Sequence, residues 1–196
     1  MTNTKRDWNS YYNAIENRPP RRTILTALAG FEESGFAIDL GCGTGRDTEE
    51  LLRQNWRVLA IDQETEAIQR LQAKFEHHPQ LTTQVSSFEE LKLPQKVDLV
   101  NASFSLPFCS PVAFPRVWEN IFNSLKKGGR FCGHLLGDRD SWRDKDFLHC
   151  QTRSQVETLL KPYKIELLEE EEHSGQTPLG EARDWHIFHI VAQKNE

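Results

Sequence analysis

The stretch Ala37-Ile38-Asp39-Leu40-Gly41-Cys42-Gly43-Thr44-Gly45-Arg46-Asp47 constrains this chain more than any other. Apolar residues run into an acid, then into glycines at every second position, and polar helix formers follow. That order predicts a buried strand, a turn of bare backbone and the start of a helix. Glycines are needed where a ligand lies directly against the main chain, and the helix behind them presents free N–H groups. The dinucleotide fingerprint G-x-G-x-x-G puts its third glycine where Arg46 stands here, which argues against a nicotinamide dehydrogenase. A second apolar run, Arg57–Ile61, ends at Asp62, 21 residues after Gly41. A carboxylate at that point can accept from both hydroxyls of a ribose.

The rest of the chain repeats the alternation. Short apolar runs at 36–40, 57–62, 81–85, 96–102 and 129–136 are separated by stretches with helical spacing. Helices are expected over Arg46–Asn55, Glu64–Phe75 and Val112–Leu125, the last closing at Gly128-Gly129. Strands alternating with helices mean parallel βαβ units, so the fold class is α/β with a doubly wound sheet. After a helix expected at Thr152–Leu160, strand-like runs at Tyr163–Glu172 and Arg183–Gln193 flank a Gly/Pro-bearing linker at 173–182. They predict an antiparallel pair joined by a long loop. Residues 1–35 read as a front extension: a polar segment bearing Trp8, Tyr11 and Tyr12, then a helix from Pro19-Pro20 to about Glu33. The 196 residues suit one domain over 1–196, with its core at 36–196.

Composition narrows the function. With 24 basic and 29 acidic residues the net charge is −5, which argues against a general nucleic-acid binder. No run of 18 apolar residues is present to span a membrane. The opening MTNTKRDWNS lacks the apolar stretch of a secretory signal, so a cytoplasmic location is expected. Cys42, Cys109, Cys132 and Cys150 lie far apart without a CxxC pair, which argues against a zinc site or a redox dithiol.

At the glycine loop the chain resembles the class I S-adenosylmethionine-dependent methyltransferases. The resemblance runs from about Phe36 to the C-terminus and rests on DLGCGTGRD, on Asp62 and on LKKGGRF as the turn into a fifth strand. Within that family the chain is most similar to the tellurite-resistance-type small-molecule methyltransferases. The resemblance implies a seven-stranded sheet, mostly parallel, with an antiparallel C-terminal hairpin strand. It implies S-adenosylmethionine as cofactor and S-adenosylhomocysteine as product. Asp39 would then meet the methionine ammonium, and Gly41, Cys42, Gly43 and Gly45 would form the floor. Asp62 would hold the ribose and Gln63 flank the adenine. Ser87 would stand where an acid is usual, Phe88 would border the adenine or pack in the core, and Ala102 would complete the set.

The acceptor belongs beyond the carboxyl ends of the later strands. Asn101 is followed by Ala102-Ser103 and an aromatic, a weak echo of the Asn-Pro-Pro-aromatic run of amino-group methyltransferases of nucleic acids and proteins. No carboxylate stands just after this strand, so a metal-assisted reaction is not expected. Trp8 and Tyr12 are read as closing over the site, with Phe104, Phe108 and Trp142 as further rings that suit a sulfonium. Arg139 lies on a loop suited to substrate contact. His134 is either a general base or a hydrogen-bonded structural histidine. Arg18, Arg21 and Arg22 are candidates for binding a carboxylate or phosphate. The expected activity is methyl transfer to a small molecule with an O, N, S or chalcogen nucleophile. The alternatives are an RNA or protein methyltransferase, or a non-catalytic S-adenosylmethionine-binding protein.

Overall fold

A computed structural model describes residues 8–15 and 18–195. The chain begins with α1 (Trp8–Ile15) and α2 (Arg22–Leu28). It continues through β1 (Phe36–Leu40), α3 (Arg46–Arg53), β2 (Arg57–Asp62), α4 (Thr65–Lys74) and β3 (Leu81–Val85). Next come β4 (Val97–Ala102), a single 3-10 turn at Leu106–Phe108, α5 (Phe114–Ser124) and β5 (Leu125–Gly137). The two-residue β6 (Cys150–Gln151), α6 (Arg153–Leu160), β7 (Tyr163–Gln176) and β8 (Ala182–Lys194) complete it. No helix among the described residues is long and apolar enough to cross a membrane.

Seven strands lie in the order β3-β2-β1-β4-β5-β8-β7, and β6 adds a short parallel pairing to the end of β5. β8 runs antiparallel to both its neighbours, while the other pairings of the main path are parallel. β1 sits near the middle and is buried from Ala37 to Leu40, as expected of a parallel strand covered on both faces. One face packs Val117 and Ile121 of α5 and Val156 and Leu160 of α6 on Val100, Phe131 and Phe188. The other packs Ile24 and Ala27 of α2, Leu51 and Leu52 of α3 and Ile68 of α4 on Ala37, Val58 and Leu99. The doubly wound expectation holds.

The differences are local. α5 ends at Ser124, before Gly128-Gly129, because Leu125 already pairs with Val97 and the ladder then shifts register towards Leu99–Arg130. The front helix covers only Arg22–Leu28, and its exit is held by Phe31 packed edge-on to Trp56 at 4.9 Å. Trp8–Ile15 is itself helical, which its polar composition did not suggest. The expected long hairpin loop is mostly ladder: pairing continues to Gln176–Ala182 and leaves 177–181 as the turn. Cross-strand contacts explain the extension, since Ser174 Oγ donates to Asp184 Oδ1 at 2.6 Å and His173 stacks on Trp185 at 6.4 Å.

Candidate active site

A cavity of about 340 Å³ opens beyond the carboxyl ends of β1, β2 and β4, within the roughly 300–1,000 Å³ typical of small-ligand sites. Its first wall is the loop between β1 and α3. Gly41 and Gly43 have φ of +72° and +53°, and a Cβ on Gly41 would lie 2.2 Å from the Ser105 Cβ. A Cβ on Gly43 would enter the cradle and meet the Tyr12 ring at 3.5 Å. Asp62, at the end of β2, holds this loop through Oδ2, which accepts the Gly43 N–H at 2.8 Å, and is itself fixed by the Glu64 N–H donated to Oδ1 at 2.9 Å. Burial raises its carboxyl above the ordinary range, against those backbone hydrogen bonds. Gln63, Ser86 and Phe88 continue the same wall.

Asp39 lies deeper, 2 % exposed. Thr48 Oγ1 donates to one of its oxygens at 2.6 Å and Asn101 Nδ2 to the other at 2.9 Å. The same Asn101 amide nitrogen reaches Asp47 Oδ2 at 3.2 Å. Burial, followed by the neighbouring Asp47 carboxylate, raises the Asp39 pKa to about 7, against its two hydrogen bonds. An arriving ammonium would complete this carboxylate cluster.

The front of the chain covers the loop. Arg21 N–H donates to Asp47 Oδ1 at 3.0 Å, and Arg46 Nε donates to the Pro19 carbonyl at 2.6 Å. Trp8 stacks on Tyr12 at 6.0 Å and meets Phe108 edge-on at 5.3 Å. Arg70 of α4 donates to Asn13 Oδ1 at 2.7 Å and lies 5.9 Å from the Tyr12 ring, so α1 is tied to the core on a second side. Trp8, Tyr11 and Tyr12 all line the cavity, and Tyr12 is 4 % exposed. The far wall carries Ser103, Phe104 and Phe108 after β4, Leu136 of β5, and His173, Gln176, Pro178, Arg183 and Trp185 from the β7–β8 hairpin.

Most of the residues singled out in the sequence meet here: Trp8, Tyr12, Asp39, Gly41, Cys42, Gly43, Asp62, Gln63, Phe88, Phe104 and Phe108. Several do not. Gly45 is absent from the wall because its missing Cβ faces Leu71, 2.2 Å away, which makes it a helix-packing glycine. Ser87 is replaced by its neighbours Ser86 and Phe88, as alternation past the end of β3 dictates. Ala102 is fully buried in the sheet, and Ser103 takes its place at the cavity.

His134 does not reach the cavity. It shares a strand face with Leu136, yet the Phe104 ring stacks on it at 4.1 Å and closes it off. His189 abuts it edge-on at 5.0 Å, and the Nδ1 of His134 has no hydrogen-bond partner among the described residues. Burial holds its pKa well below the ordinary range, with Arg21 adding to the effect, so the ring is neutral. The expected hydrogen-bonded alternative fails at Nδ1 as well. Trp142 belongs to the layer behind the wall, packed with Leu136 and Ile187 and faced by the Arg183 guanidinium at 4.2 Å. Arg139 points away, donating to Glu170 at 2.5 Å and Glu172 at 2.6 Å. With His186, those two acids are the group of metal-ligand type among the described residues, and the Arg139 guanidinium sits against all three.

Sequence reasoning passed over Arg46, Trp185, Gln176, Pro178 and His173. Arg46 was legible as the residue opening the helix behind the glycines. The hairpin residues gave no signal, because only the added length of the ladder carries them over the cavity.

Residues 37–129 match a family model described as a methyltransferase domain. Phosphoethanolamine N-methyltransferase 1 of Zea mays is 25 % identical over 74 % of this chain, which spans 32 % of that protein, about a third of its length. Among solved structures, TehB from Haemophilus influenzae superposes with a TM-score of 0.80 at 15 % identity, covering 96 % of this chain and 67 % of its own. The 1,6-didemethyltoxoflavin-N1-methyltransferase of Burkholderia thailandensis, with bound 1,6-didemethyltoxoflavin and S-adenosylhomocysteine, gives 0.69 at 18 % identity over 96 % and 85 % of the two chains. These likenesses agree with the sheet order, and the Rossmann-like methyltransferase fold stands.

Proposed function

We propose that this chain, whose residues 37–129 match a family model described as a methyltransferase domain, transfers a methyl group from S-adenosylmethionine to a small-molecule nucleophile. The observation that carries the reading is the joined wall of Asp39, glycine loop and Asp62, closed from above by Trp8 and Tyr12. The residues fit the cofactor. Gly43 leaves a cradle that a Cβ would enter, Asp62 offers a carboxylate at the β2 end, and buried Asp39 has no cationic partner among the described residues. S-adenosylmethionine, when bound, supplies an electrophilic methyl group beside a positive sulfur.

The protein's own part is positioning and drying. Asp62 both anchors the loop and faces the ribose side of the cradle. Asp39, set by Thr48 and Asn101, receives the ammonium. Trp8, Tyr12 and Phe108 exclude water and offer ring faces to positive charge, worth about 0.5–2 kcal/mol each. Alignment of nucleophile and methyl in a dry site supplies much of the rate enhancement. His134 stays behind Phe104, so the reading assigns it no proton transfer. His173 is the histidine on the cavity wall among the described residues.

The acceptor is a small molecule because the wall opposite the glycine loop is a compact set of rings and guanidiniums. A cytoplasmic location accords with four unpaired cysteines, the state a reducing compartment maintains. The deciding measurement is calorimetric titration with S-adenosylmethionine and S-adenosylhomocysteine, with NADH as control. Micromolar binding of both sulfur ligands and none of NADH is expected; failure of both to bind would sink the reading.

A further inference from the structure

Arg18, Arg21 and Arg46 all line the cavity, close enough for their charges to act on one another. Among the described residues none of the three forms an ion pair with a carboxylate, whereas Arg22 beside them pairs with Glu169 on the surface at 2.5 Å. Burial holds the Arg21 guanidinium below its ordinary pKa; Tyr11 and Asp47 act against that shift and Arg18 adds to it. Arg46 is held down in the same way, by burial and then by Arg21. Neighbouring guanidiniums, two of them partly desolvated, that repel one another and form no ion pair among the described residues are an incomplete site.

The three are not equivalent in position. Arg46 opens α3 directly behind the glycine loop and is fixed by Pro19. Arg21 lies over the Phe104 ring, 4.3 Å from its centroid. Phe104 follows β4, rests on His134 of β5 and meets Trp185 of β8 edge-on at 6.5 Å. None of those contacts belongs to the glycine loop or to β2. Phe104 also holds a φ of +54°, a backbone region that bulky residues rarely adopt, and this places its ring as the floor beneath the guanidinium.

We infer that the methyl acceptor carries an anionic group, a carboxylate or a phosphate, which the Arg21 guanidinium receives on the Phe104 wall with Arg18 at its flank. The inference rests on the methyl-transfer reading and names the substrate class of that site. A guanidinium binds either group through paired N–H donors. The apolar remainder of the wall, Phe108, Leu136 and Trp185, suits a ring-bearing body behind the anion.

The test uses the full chain saturated with S-adenosylhomocysteine, titrated with benzoate and phenyl phosphate, with benzyl alcohol as the neutral counterpart. The anionic probes should bind about tenfold to a hundredfold more tightly than the alcohol, the range of a charge-assisted hydrogen bond. Arg21→Gln should erase that preference while S-adenosylhomocysteine affinity stays unchanged. Arg21→Lys should retain part of it, and exposed Arg18→Gln should show a smaller loss of the same sign should the Arg21 variants fold poorly. Equal binding of the neutral probe, or no binding of the anions at millimolar concentration, overturns the inference. So does an Arg21→Gln variant that weakens S-adenosylhomocysteine and keeps the anion preference, since the guanidinium would then serve the cofactor. Anion preference in a wild-type chain that ignores S-adenosylhomocysteine would refute the methyl-transfer reading and leave an anion site standing.

Discussion

The two walls of the cavity are built on different principles. On the glycine-loop side the ligand surface is largely main chain, held in a left-handed path by Gly41 and Gly43 and anchored by the Gly43 N–H donated to Asp62. On the opposite side it is side chain, drawn from α1, the loop after β4, β5 and the β7–β8 hairpin. The glycine loop at the centre of the first wall is specified within a few consecutive residues. The second exists only once four distant segments have packed. The first can therefore serve one constant ligand, while the second takes whatever shape its contributors give it.

Asp62→Ala should break the comparison most severely. Removing a carboxylate that holds the loop and faces the ligand should weaken S-adenosylhomocysteine binding by about a hundredfold or more, read by calorimetry. A loss below tenfold would mean that the backbone path holds without its anchor. Trp185→Ala probes the other wall. It deletes the ring shared by Arg183 at 3.8 Å and by His173, and should lower kcat/KM by about tenfold with cofactor affinity intact. A matching drop in cofactor affinity would show that the two walls are coupled.

Two smaller effects separate the walls by pH. Asp39, raised to about 7 in the fold, costs stability when it ionises. Without cofactor, unfolding free energy should fall as pH climbs from about 4 to 7, by at most about 1.4 kcal/mol per pH unit per proton, seen as a falling Tm, and Asp39→Asn should flatten that slope. Cofactor affinity should rise over the same window, because the ammonium prefers the ionised acid. His134 has the opposite sign: its folded pKa is depressed, so the stability it contributes is complete above about 6.5 and drains away as pH falls. His134→Gln should remove that acid loss and leave kcat within about twofold, since Phe104 screens the ring from the cavity. A collapse of kcat in that variant would put His134 back among the reacting groups.

The legible parts of the molecule are those fixed by neighbours in sequence. Asp39, the glycines and Asp62 declare themselves because a bare backbone turn at the end of a strand has few solutions. The strands at 36–40, 57–62 and 81–85 begin and end where their apolar runs do. Elsewhere the information is tertiary. Alternation along β5 gave the side on which His134 lies but not the Phe104 ring that covers it. Loop residues Arg139 and Trp142 stood in a plausible place, and the acids of β7 and the Arg183–Asp140 pair drew them elsewhere. Ser87 missed by one position, because a strand exit sets side-chain alternation that composition does not show. Trp8–Ile15 looked like mere polarity until Arg70 and Phe108 supplied partners for one face of a short helix.

The β7–β8 ladder, which runs to Gln176–Ala182 before it turns, has a bearing on how the proposed activity could diversify. Its far end delivers His173, Gln176, Pro178 and Trp185 to the far wall of the cavity while its root is locked in the sheet beside β5. Insertions or exchanges around 177–181 would remodel the choice of acceptor without disturbing the strands that carry the cofactor cradle. On the methyl-transfer reading, substrate range is mounted on a replaceable arm, and descendants of this chain can change what they methylate faster than how they methylate it.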